Sequence, residues 1–174
     1  MATNSLEICT LRPFRISDAD DFLIYAGDEK VTRFSRLKTL TSKEEAISQI
    51  QNVFIPHPYF RSICINDRSI GYVFFKPMSG DDKRRAEVGY VLAKEYWGQG
   101  IVTRVTKMAI CDGFKEFPDV VRMQAHVEVD NKASQRVLEK IGFQREAILR
   151  KYTYNKGEIK DLVMYGLLST DPML

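Results

Sequence analysis

The fold of this chain is decided by Tyr96-Trp97-Gly98-Gln99-Gly100-Ile101-Val102-Thr103, which joins a strand-like run at residues 86–92 to a long helical pattern. Glycine lets the backbone approach a ligand closely, and two glycines stand one residue apart here. The first N–H groups of a helix have no partner within the helix, and the helix dipole favours an anion beside them. The stretch therefore predicts a phosphate or pyrophosphate site built from the N–H groups of Gln99 to Thr103, although the same pattern also suits a plain tight turn.

Two familiar phosphate-binding loops do not fit this stretch. A dinucleotide-binding fold needs Gly-x-Gly-x-x-Gly early in the chain, whereas Thr103 and Arg104 stand here where the third glycine is due. A P-loop needs Gly-Lys followed by Ser or Thr, and the sequence contains no such run. The anion site is therefore predicted to be of another type.

A second motif occupies residues 127–143. The stretch at 121–129 alternates enough to be a strand, and Asn131 is a residue type favoured at a helix N-cap. Gly142 suits the left-handed position that ends a helix. A buried stripe at helical spacing is predicted for Ala133, Val137 and Ile141. The motif therefore predicts a strand followed by a capped helix.

These two motifs resemble those of the Gcn5-related N-acetyltransferases, the GNAT superfamily. The first is similar to the family's acetyl-CoA pyrophosphate loop, Gln/Arg-x-x-Gly-x-Gly/Ala, and the second to its Asn-x-x-Ser/Ala helix that ends in Gly-Phe. The resemblance is closest to the branch that acetylates ribosomal-protein N-termini (RimJ/RimL-like). The stretches similar to that branch are "EVGYVLAKEYWGQGIVT", "NKASQRVLEKIGF", "LRPFRISDADDF" and "NKGEIKDLVMYGL". The resemblance extends from about Leu11 to Leu168.

Three positions depart from the family's pattern. Trp97 stands where many members have Gln or Arg. Val102 replaces a small residue, so its β-branched side chain is expected to crowd the loop and to weaken binding without abolishing it. Thr153 aligns with the glutamate that acts as base on the penultimate strand in that branch. A threonine does not act as a base, so that role is not carried over.

Length and composition indicate one globular domain. The chain has 174 residues, of which 44% are apolar and 28% charged, and we expect a single domain over 1–174 with its motif-bearing core at about 8–168. The net charge of +3 gives no case for nucleic acid. Three widely spaced cysteines indicate reduced thiols and a cytoplasmic protein. The sequence shows no signal-peptide pattern, no membrane-spanning run and no zinc-type spacing of Cys and His.

The pattern of elements predicts an α/β fold. Its order is β α α β β β α β α β β, with one helix from about Gly100 to Glu116, and Ser17 is expected to cap the first helix. This order predicts a mixed sheet of about seven strands with helices on both faces. The resemblance implies a GNAT-type three-layer α/β/α sandwich, in which the strands ending at Leu92 and Val129 are parallel and splay apart.

The resemblance also implies which residues hold acetyl-CoA, the acetyl donor and co-substrate. The backbone of Val91 and Leu92 is expected to pair with the pantetheine arm, and Asn131 either reaches that arm or serves only as a cap. Ser134, one turn past Asn131, is expected to protonate the departing thiolate; alternatively, it is a small residue that lets the arm pass. The implied cofactor-binding set is Val91, Leu92, Trp97, Gly98, Gln99, Gly100, Ile101, Val102, Thr103 and Asn131.

The group that removes the amine's proton is the least determined part of the site. An amine of pKa ~10 is mostly ammonium at pH 7 and must lose a proton before it attacks. Glu87 is the candidate base, because it opens the strand that leads into the loop, where other acetyltransferases of this fold place a glutamate. Alternatively, Glu87 is a surface carboxylate paired with Arg84 or Arg85. Weaker candidates are a water relay and the side chains of Tyr152, Tyr154, His126 and Asp161.

The predicted function is acetyl transfer from acetyl-CoA to a primary amine by direct attack in a ternary complex. Holding both reactants together supplies much of the acceleration, so no metal is expected. The acceptor is expected to be a peptide N-terminus or a small amine, and the protein a monomer or homodimer. The alternative, kept open by Thr153, is a catalytically silent acyl-CoA-binding or partner-docking module.

Overall fold

The computed structural model describes residues 9–174, so the expected start of the core at residue 8 lies outside the described residues. The strands are β1 (Cys9–Pro13), β2 (Tyr59–Ile65), β3 (Arg68–Pro77), β4 (Arg85–Leu92), β5 (Arg122–Glu128), β6 (Gln144–Asn155) and β7 (Glu158–Leu168). The helices are α1 (Ala19–Ala26), α2 (Glu29–Thr32), α3 (Lys43–Gln49), α4 (Ile101–Glu116) and α5 (Lys132–Ile141). Short 3-10 turns lie at Ile16–Asp18, Gly80–Asp82 and Lys94–Tyr96, and a π-helical turn at Ile50–Phe54 extends α3.

The strands form one seven-stranded sheet in the order β1-β2-β3-β4-β5-β7-β6. β4 and β5 are parallel, whereas the pairs β1–β2, β5–β7 and β6–β7 are antiparallel, so the sheet is mixed. The predicted α/β fold and its order of elements are confirmed. The one helix that the sequence pattern did not predict is α2, a single turn that begins after the N-cap Asp28.

The parallel pairing of β4 with β5 ends early. Within residues 9–174, the register runs from Arg85–Arg122 to Glu87–Gln124, although β4 continues to Leu92 and β5 to Glu128. A strand edge that its neighbour does not cover presents N–H and C=O groups with which an extended ligand can pair. The parallel pairing of β4 and β5 that the family resemblance implied is confirmed.

The start of α1 differs from the prediction. Ser17 does not cap this helix, because it lies inside a 3-10 turn and α1 begins only after Asp18. Asp18 is 4% exposed and its two carboxylate oxygens each accept a 2.8 Å hydrogen bond from the Arg12 guanidinium. Asp18 also accepts from the backbone N–H of Arg15 at 2.8 Å. This charge-assisted cluster fixes the turn in place of a serine cap.

The chain divides into two compact units, and each has its own apolar core. The first comprises residues 9–74 and 90–105 of the described chain, and the second comprises 75–89 and 106–174. In the first, Phe54 and Phe60 stack with ring centroids 3.9 Å apart. The second is built around buried Met123, Leu138, Ile141, Val163, Tyr165 and Leu167. The expectation of a single domain stays a prediction.

No helix among residues 9–174 is both long enough and apolar enough to cross a membrane. The three cysteines, Cys9, Cys64 and Cys111, form no disulfide in this part of the chain. Cys9 and Cys64 are buried in strands, and burial raises the pKa of both thiols. A raised pKa keeps a thiol protonated and unreactive, so these two side chains act as core residues.

Candidate functional site

The glycine loop of the first unit adopts a backbone that side chains disfavour. Gly98 and Gly100 both have a φ of +75°, in the left-handed region where glycine has no steric penalty. Apart from their chain neighbours, no described atom lies within 4 Å of an ideal Cβ at either position. The glycines are therefore required by the backbone conformation, and the space beside them is open to a ligand.

The helix after this loop is anchored at its first residue. Ile101 is 1% exposed and belongs to an apolar cluster with Cys9, Ile63, Ile70, Leu92 and Val105. The first helical hydrogen bond of α4 runs from the Arg104 N–H to the Gly100 carbonyl at 3.1 Å, so the N–H groups of residues 101–103 precede it. Such N–H groups, with the positive end of the helix dipole, favour an anion.

Val102 does not crowd the loop as expected. Its partly buried side chain packs against the apolar cluster around Ile101. A β-branched residue suits this position because its methyl groups fill space in the core, while its backbone N–H stays at the helix start. The predicted crowding of the loop is therefore not seen, and the effect of Val102 on binding stays a prediction.

Trp97 joins the loop to the end of β4. Its indole Nε1 donates a 2.7 Å hydrogen bond to the carbonyl of Leu92, while its side chain remains 50% exposed. β3 approaches the same segment closely: the Ala93 N–H donates to the Ile70 carbonyl at 2.8 Å, and a Cβ on Gly71 would lie 2.3 Å from the Val91 oxygen. The backbone at the end of β4 is thus held from two sides, by β3 and by an aromatic side chain.

The start of α5 in the second unit is capped as the sequence predicted. Asn131 Oδ1 accepts a 3.2 Å hydrogen bond from the Ser134 N–H, and Gly142 ends the helix with a φ of +117°. Gln135 was not predicted to take part, yet its Nε2 donates to the carbonyls of Glu128 at 3.3 Å and Val129 at 2.8 Å. These bonds tie α5 to the end of β5 and so fix where Asn131 and Ser134 stand. No sequence pattern marks this role, because Gln135 is a common helix residue. The predicted buried stripe is wrong at Ala133, which is exposed; the buried residues of α5 are Gln135, Leu138 and Ile141.

Glu87, the candidate base, has a partner that was not expected. Its Oε1 lies 3.3 Å from Nδ1 of His126 on β5, whereas the guanidinium of Arg85 pairs with Asp82 at 3.0 Å. Arg85 thus has a partner other than Glu87, and the alternative pairing of Glu87 with Arg84 or Arg85 stays a prediction. The His126 ring is also stacked on Tyr152 of β6, with centroids 5.8 Å apart and an angle of 14° between the planes. Three predicted base candidates thus meet in one place within the second unit.

The other candidate bases have different surroundings. Asp161 accepts a 2.7 Å hydrogen bond from the backbone N–H of Lys151, a residue with a φ of +50° at an irregularity of β6. That carboxylate therefore has a structural role in the β6–β7 hairpin. The side chain of Tyr154 is 70% exposed, and Thr153 pairs in backbone register with Lys160. Among residues 9–174, no group of three or more His, Cys, Asp or Glu side chains is placed to hold a metal ion.

Comparison with known proteins decides the family. Residues 9–144 match the acetyltransferase (GNAT) domain family, which is more than half of the chain. The chain belongs to the GNAT acetyltransferases. The GNAT chain is 35% identical over 162 residues to YoaA of Bacillus subtilis strain 168, called an uncharacterized N-acetyltransferase, and the match covers 88% of this chain and 90% of YoaA. The predicted enzyme class, an acyltransferase of the N-acetyltransferase type, is confirmed.

Solved GNAT structures share the fold. RimL, a ribosomal L7/L12 alpha-N-protein acetyltransferase solved with coenzyme A joined to a cysteine by a disulfide, superposes with a TM-score of 0.79 at 23% identity, covering 92% of this chain and 94% of RimL. Spermidine N-acetyltransferase from Vibrio cholerae, solved with CoA and spermine, superposes with a TM-score of 0.80 at 18% identity, covering 94% and 97%. The predicted GNAT fold is therefore confirmed by structure as well as by sequence.

Proposed function

We propose that this GNAT protein transfers the acetyl group of acetyl-CoA to a primary amine, either a peptide N-terminus or a small amine. The observation that carries the proposal is the loop before α4, where two left-handed glycines leave open space beside the first N–H groups of a 16-residue helix. An anion such as the CoA diphosphate fits that arrangement, because it receives hydrogen bonds and the favourable end of the helix dipole. Acetyl-CoA supplies an activated acetyl thioester when bound.

The pantetheine arm is assigned to the end of β4 and to Asn131. The backbone of Val91 and Leu92 would pair with the arm as an additional strand. The N-cap of α5 uses only the Oδ1 atom of Asn131, and the amide group has two further donors on Nδ2. Asn131 is therefore proposed to cap α5 and to donate to a carbonyl of the arm at the same time, so the two predicted roles do not compete.

The departing thiolate is proposed to take its proton from Ser134. This residue stands in the first turn of α5, where its backbone N–H donates to Asn131 Oδ1 and its side chain is half-buried. A hydroxyl in the first turn of a helix lies near the positive end of the dipole, which favours the loss of a proton to a neighbouring anion. Glu87 is proposed to take part in removing the proton of the attacking ammonium.

The acceptor amine is assigned only by class, because one fold serves many acceptors. We propose that the protein works in the cytoplasm, since its cysteines form no disulfide within the described residues. We further propose that it acts as a monomer or homodimer and needs no metal.

The test of the function is acetyl transfer to a panel of amines. Peptides with Ser, Ala or Met at the N-terminus, spermidine and free amino acids would each be incubated with acetyl-CoA. Released CoA thiol and the mass of each amine would be measured together. We expect at least one amine to gain an acetyl group at a rate that the enzyme sets. Tight acetyl-CoA binding with no acetylated product from the whole panel would favour the silent acyl-CoA-binding alternative.

The role of Ser134 has a separate structural test. A Ser134→Cys variant would place a thiol where the hydroxyl is proposed to meet the CoA sulfur. Oxidised CoA is expected to form a mixed disulfide with it, seen as a mass increase that a reductant reverses. An Arg136→Cys variant, exposed on the same helix, is the matched control and is expected to react much more slowly. Equal labelling of both variants would contradict the placement of Ser134.

A further inference from the structure

The contact between Glu87 and His126 lies where the parallel pairing of β4 and β5 ends. Glu87 forms the last backbone pair with Gln124, and His126 is two residues further along β5, so both side chains stand on the same face of the sheet. Their Oε1 and Nδ1 atoms are 3.3 Å apart, slightly longer than an ideal hydrogen bond. Catalytic contacts of this kind often tighten when a substrate binds.

We propose that His126, and not Glu87, accepts the proton of the attacking amine, and that Glu87 is a positioning residue for the imidazole. This inference rests on the proposed function, since it names the proton acceptor of the same reaction. The proton leaves the ammonium nitrogen and is bound by Nε2 of His126, either directly or through one water. The resulting imidazolium is balanced by the carboxylate of Glu87. No bond to carbon changes in this step, and the amine lone pair is then available for the thioester.

The geometry favours the imidazole for a chemical reason. A neutral histidine has one donor nitrogen and one acceptor nitrogen. A carboxylate 3.3 Å from Nδ1 favours the tautomer with its hydrogen on that atom, which leaves the lone pair on Nε2. A base is most effective when its pKa lies near the working pH, and an imidazole ordinarily titrates near ~6.5, whereas a carboxyl titrates near ~4.

The surroundings hold the ring in place but leave it accessible. The side chain of His126 is 18% exposed and that of Glu87 is 34% exposed, so a substrate proton can reach the pair. Tyr152 of β6 stacks on one face of the ring. Opposite His126 on β7 is Met164, which does not titrate.

Two further charged groups of β5 are engaged with other partners. Glu128, two residues after His126 on β5, is 8% exposed and accepts a 2.6 Å hydrogen bond from Nδ2 of Asn155. Arg122, at the other end of β5, forms a two-bond ion pair with Glu146 of β6 at 2.8 and 2.6 Å. Within residues 9–174, the titratable side chains shown against the imidazole are Glu87, through its carboxylate, and Tyr152, through its ring.

Two variants separate the two possible bases. His126→Asn retains an N–H donor near the Nδ1 position but has no acceptor at the Nε2 position, whereas Glu87→Gln retains the shape of Glu87 without its charge. We expect His126→Asn to lower kcat/KM at pH 7 by about 100-fold and to remove the acid limb of the pH–rate profile. We expect Glu87→Gln to lower it by about 10-fold and to keep that limb. His57→Asn, which changes the second of the two histidines, is the matched control and should retain the wild-type profile.

The opposite ranking would overturn the inference. If His126→Asn keeps the wild-type rate, or if Glu87→Gln loses the acid limb, Glu87 is the base and His126 only supports it. CoA affinity, measured by calorimetry, is expected to stay unchanged in both variants, because neither residue belongs to the glycine loop.

A second readout does not depend on catalysis. With two histidines in the chain, nitrogen-15 NMR of the ring atoms can assign the tautomer of each. We expect neutral His126 to carry its hydrogen on Nδ1, and to lose this preference in Glu87→Ala, while His57 stays the same in both proteins. A wild-type hydrogen on Nε2 would refute the pairing. If the wild type acetylates no amine but shows the expected tautomer, the proposed function and the proton-acceptor role of His126 are both wrong. The contact between Glu87 and His126 would still be supported.

Discussion

A glutamate in place of Gly100 is the sharpest perturbation of the proposed diphosphate site. The φ of +75° imposes a left-handed backbone on any side chain at this position, which costs about 1–2 kcal/mol of the free energy of unfolding. No clash adds to this cost, because a Cβ there meets no described atom within 4 Å apart from its chain neighbours. For a chain of 174 residues, that loss lowers Tm by about 2–8 °C, so the variant should remain folded at 25 °C.

The effect of this variant on CoA binding should be much larger. The new carboxylate occupies the open space beside the helix N-terminus, where it repels the diphosphate and replaces it at the N–H groups. A hydrogen bond to a charged group contributes ~1.5–3 kcal/mol, so the rise in Kd is at least about 10-fold for the loss of one bond and more than about 100-fold for the loss of two. Isothermal titration calorimetry with CoA measures this directly.

The chain offers matched controls for Gly100→Glu. Gly157, in the turn between β6 and β7, has a φ of +84° and equally open surroundings, so Gly157→Glu introduces similar strain and the same charge elsewhere. Gly100→Ala introduces the strain without the charge. We expect Gly157→Glu to bind CoA like the wild type and Gly100→Ala to bind moderately less tightly. Wild-type affinity in Gly100→Glu, or an equal loss in Gly157→Glu, would refute the loop assignment.

Three further substitutions test the roles of single side chains. Ser134→Ala should lower kcat by about 100-fold with the Kd for CoA unchanged, and steady-state kinetics showing normal turnover would remove the proton-donor role. Asn131→Ala should lower the free energy of unfolding by about 1 kcal/mol, because the helix cap is lost. Asn131→Ser keeps the cap but should still raise KM for acetyl-CoA. Equal stability of the two variants in urea titrations would argue against the cap. Burial raises the pKa of Tyr72 to about 12, so the stability that its neutral phenol provides is present below pH 10 and is lost as the pH rises towards about 12. Tyr72→Phe should therefore lose less unfolding free energy between pH 9 and 12 in urea titrations. The same pH dependence in the variant and the wild type would contradict this expectation.

Local signals were enough to predict much of this fold. Asn131 and Gly142 mark the two ends of α5 by their side-chain chemistry and backbone freedom, and the structure has both where the sequence placed them. The glycine loop was predicted for the same reason, since a left-handed backbone needs glycine. The prediction that Ser17 caps α1 was wrong. Serine is a common N-cap, but here the buried pair of Arg12 and Asp18 determines where α1 begins.

The features that the sequence did not predict depend on contacts between distant residues. Glu87 meets His126 only because β4 and β5 pair in one particular parallel register, and strand periodicity does not specify that register. Val102 was expected to crowd the glycine loop because of its place in the motif, whereas in the structure its side chain packs against the core beneath α4. Gln135 anchors α5 through carbonyl groups of β5, which carry no sequence signal at all.

The central claim is that backbone N–H groups at the start of α4 bind the diphosphate of CoA. Amide NMR spectra of the nitrogen-15-labelled protein, titrated with CoA and in parallel with pantetheine, test it most directly, because pantetheine lacks the diphosphate. We expect the amides of Gln99 to Thr103 to shift strongly with CoA and little with pantetheine. Amides in this loop that stay unmoved by CoA, while others in the chain respond, would contradict it.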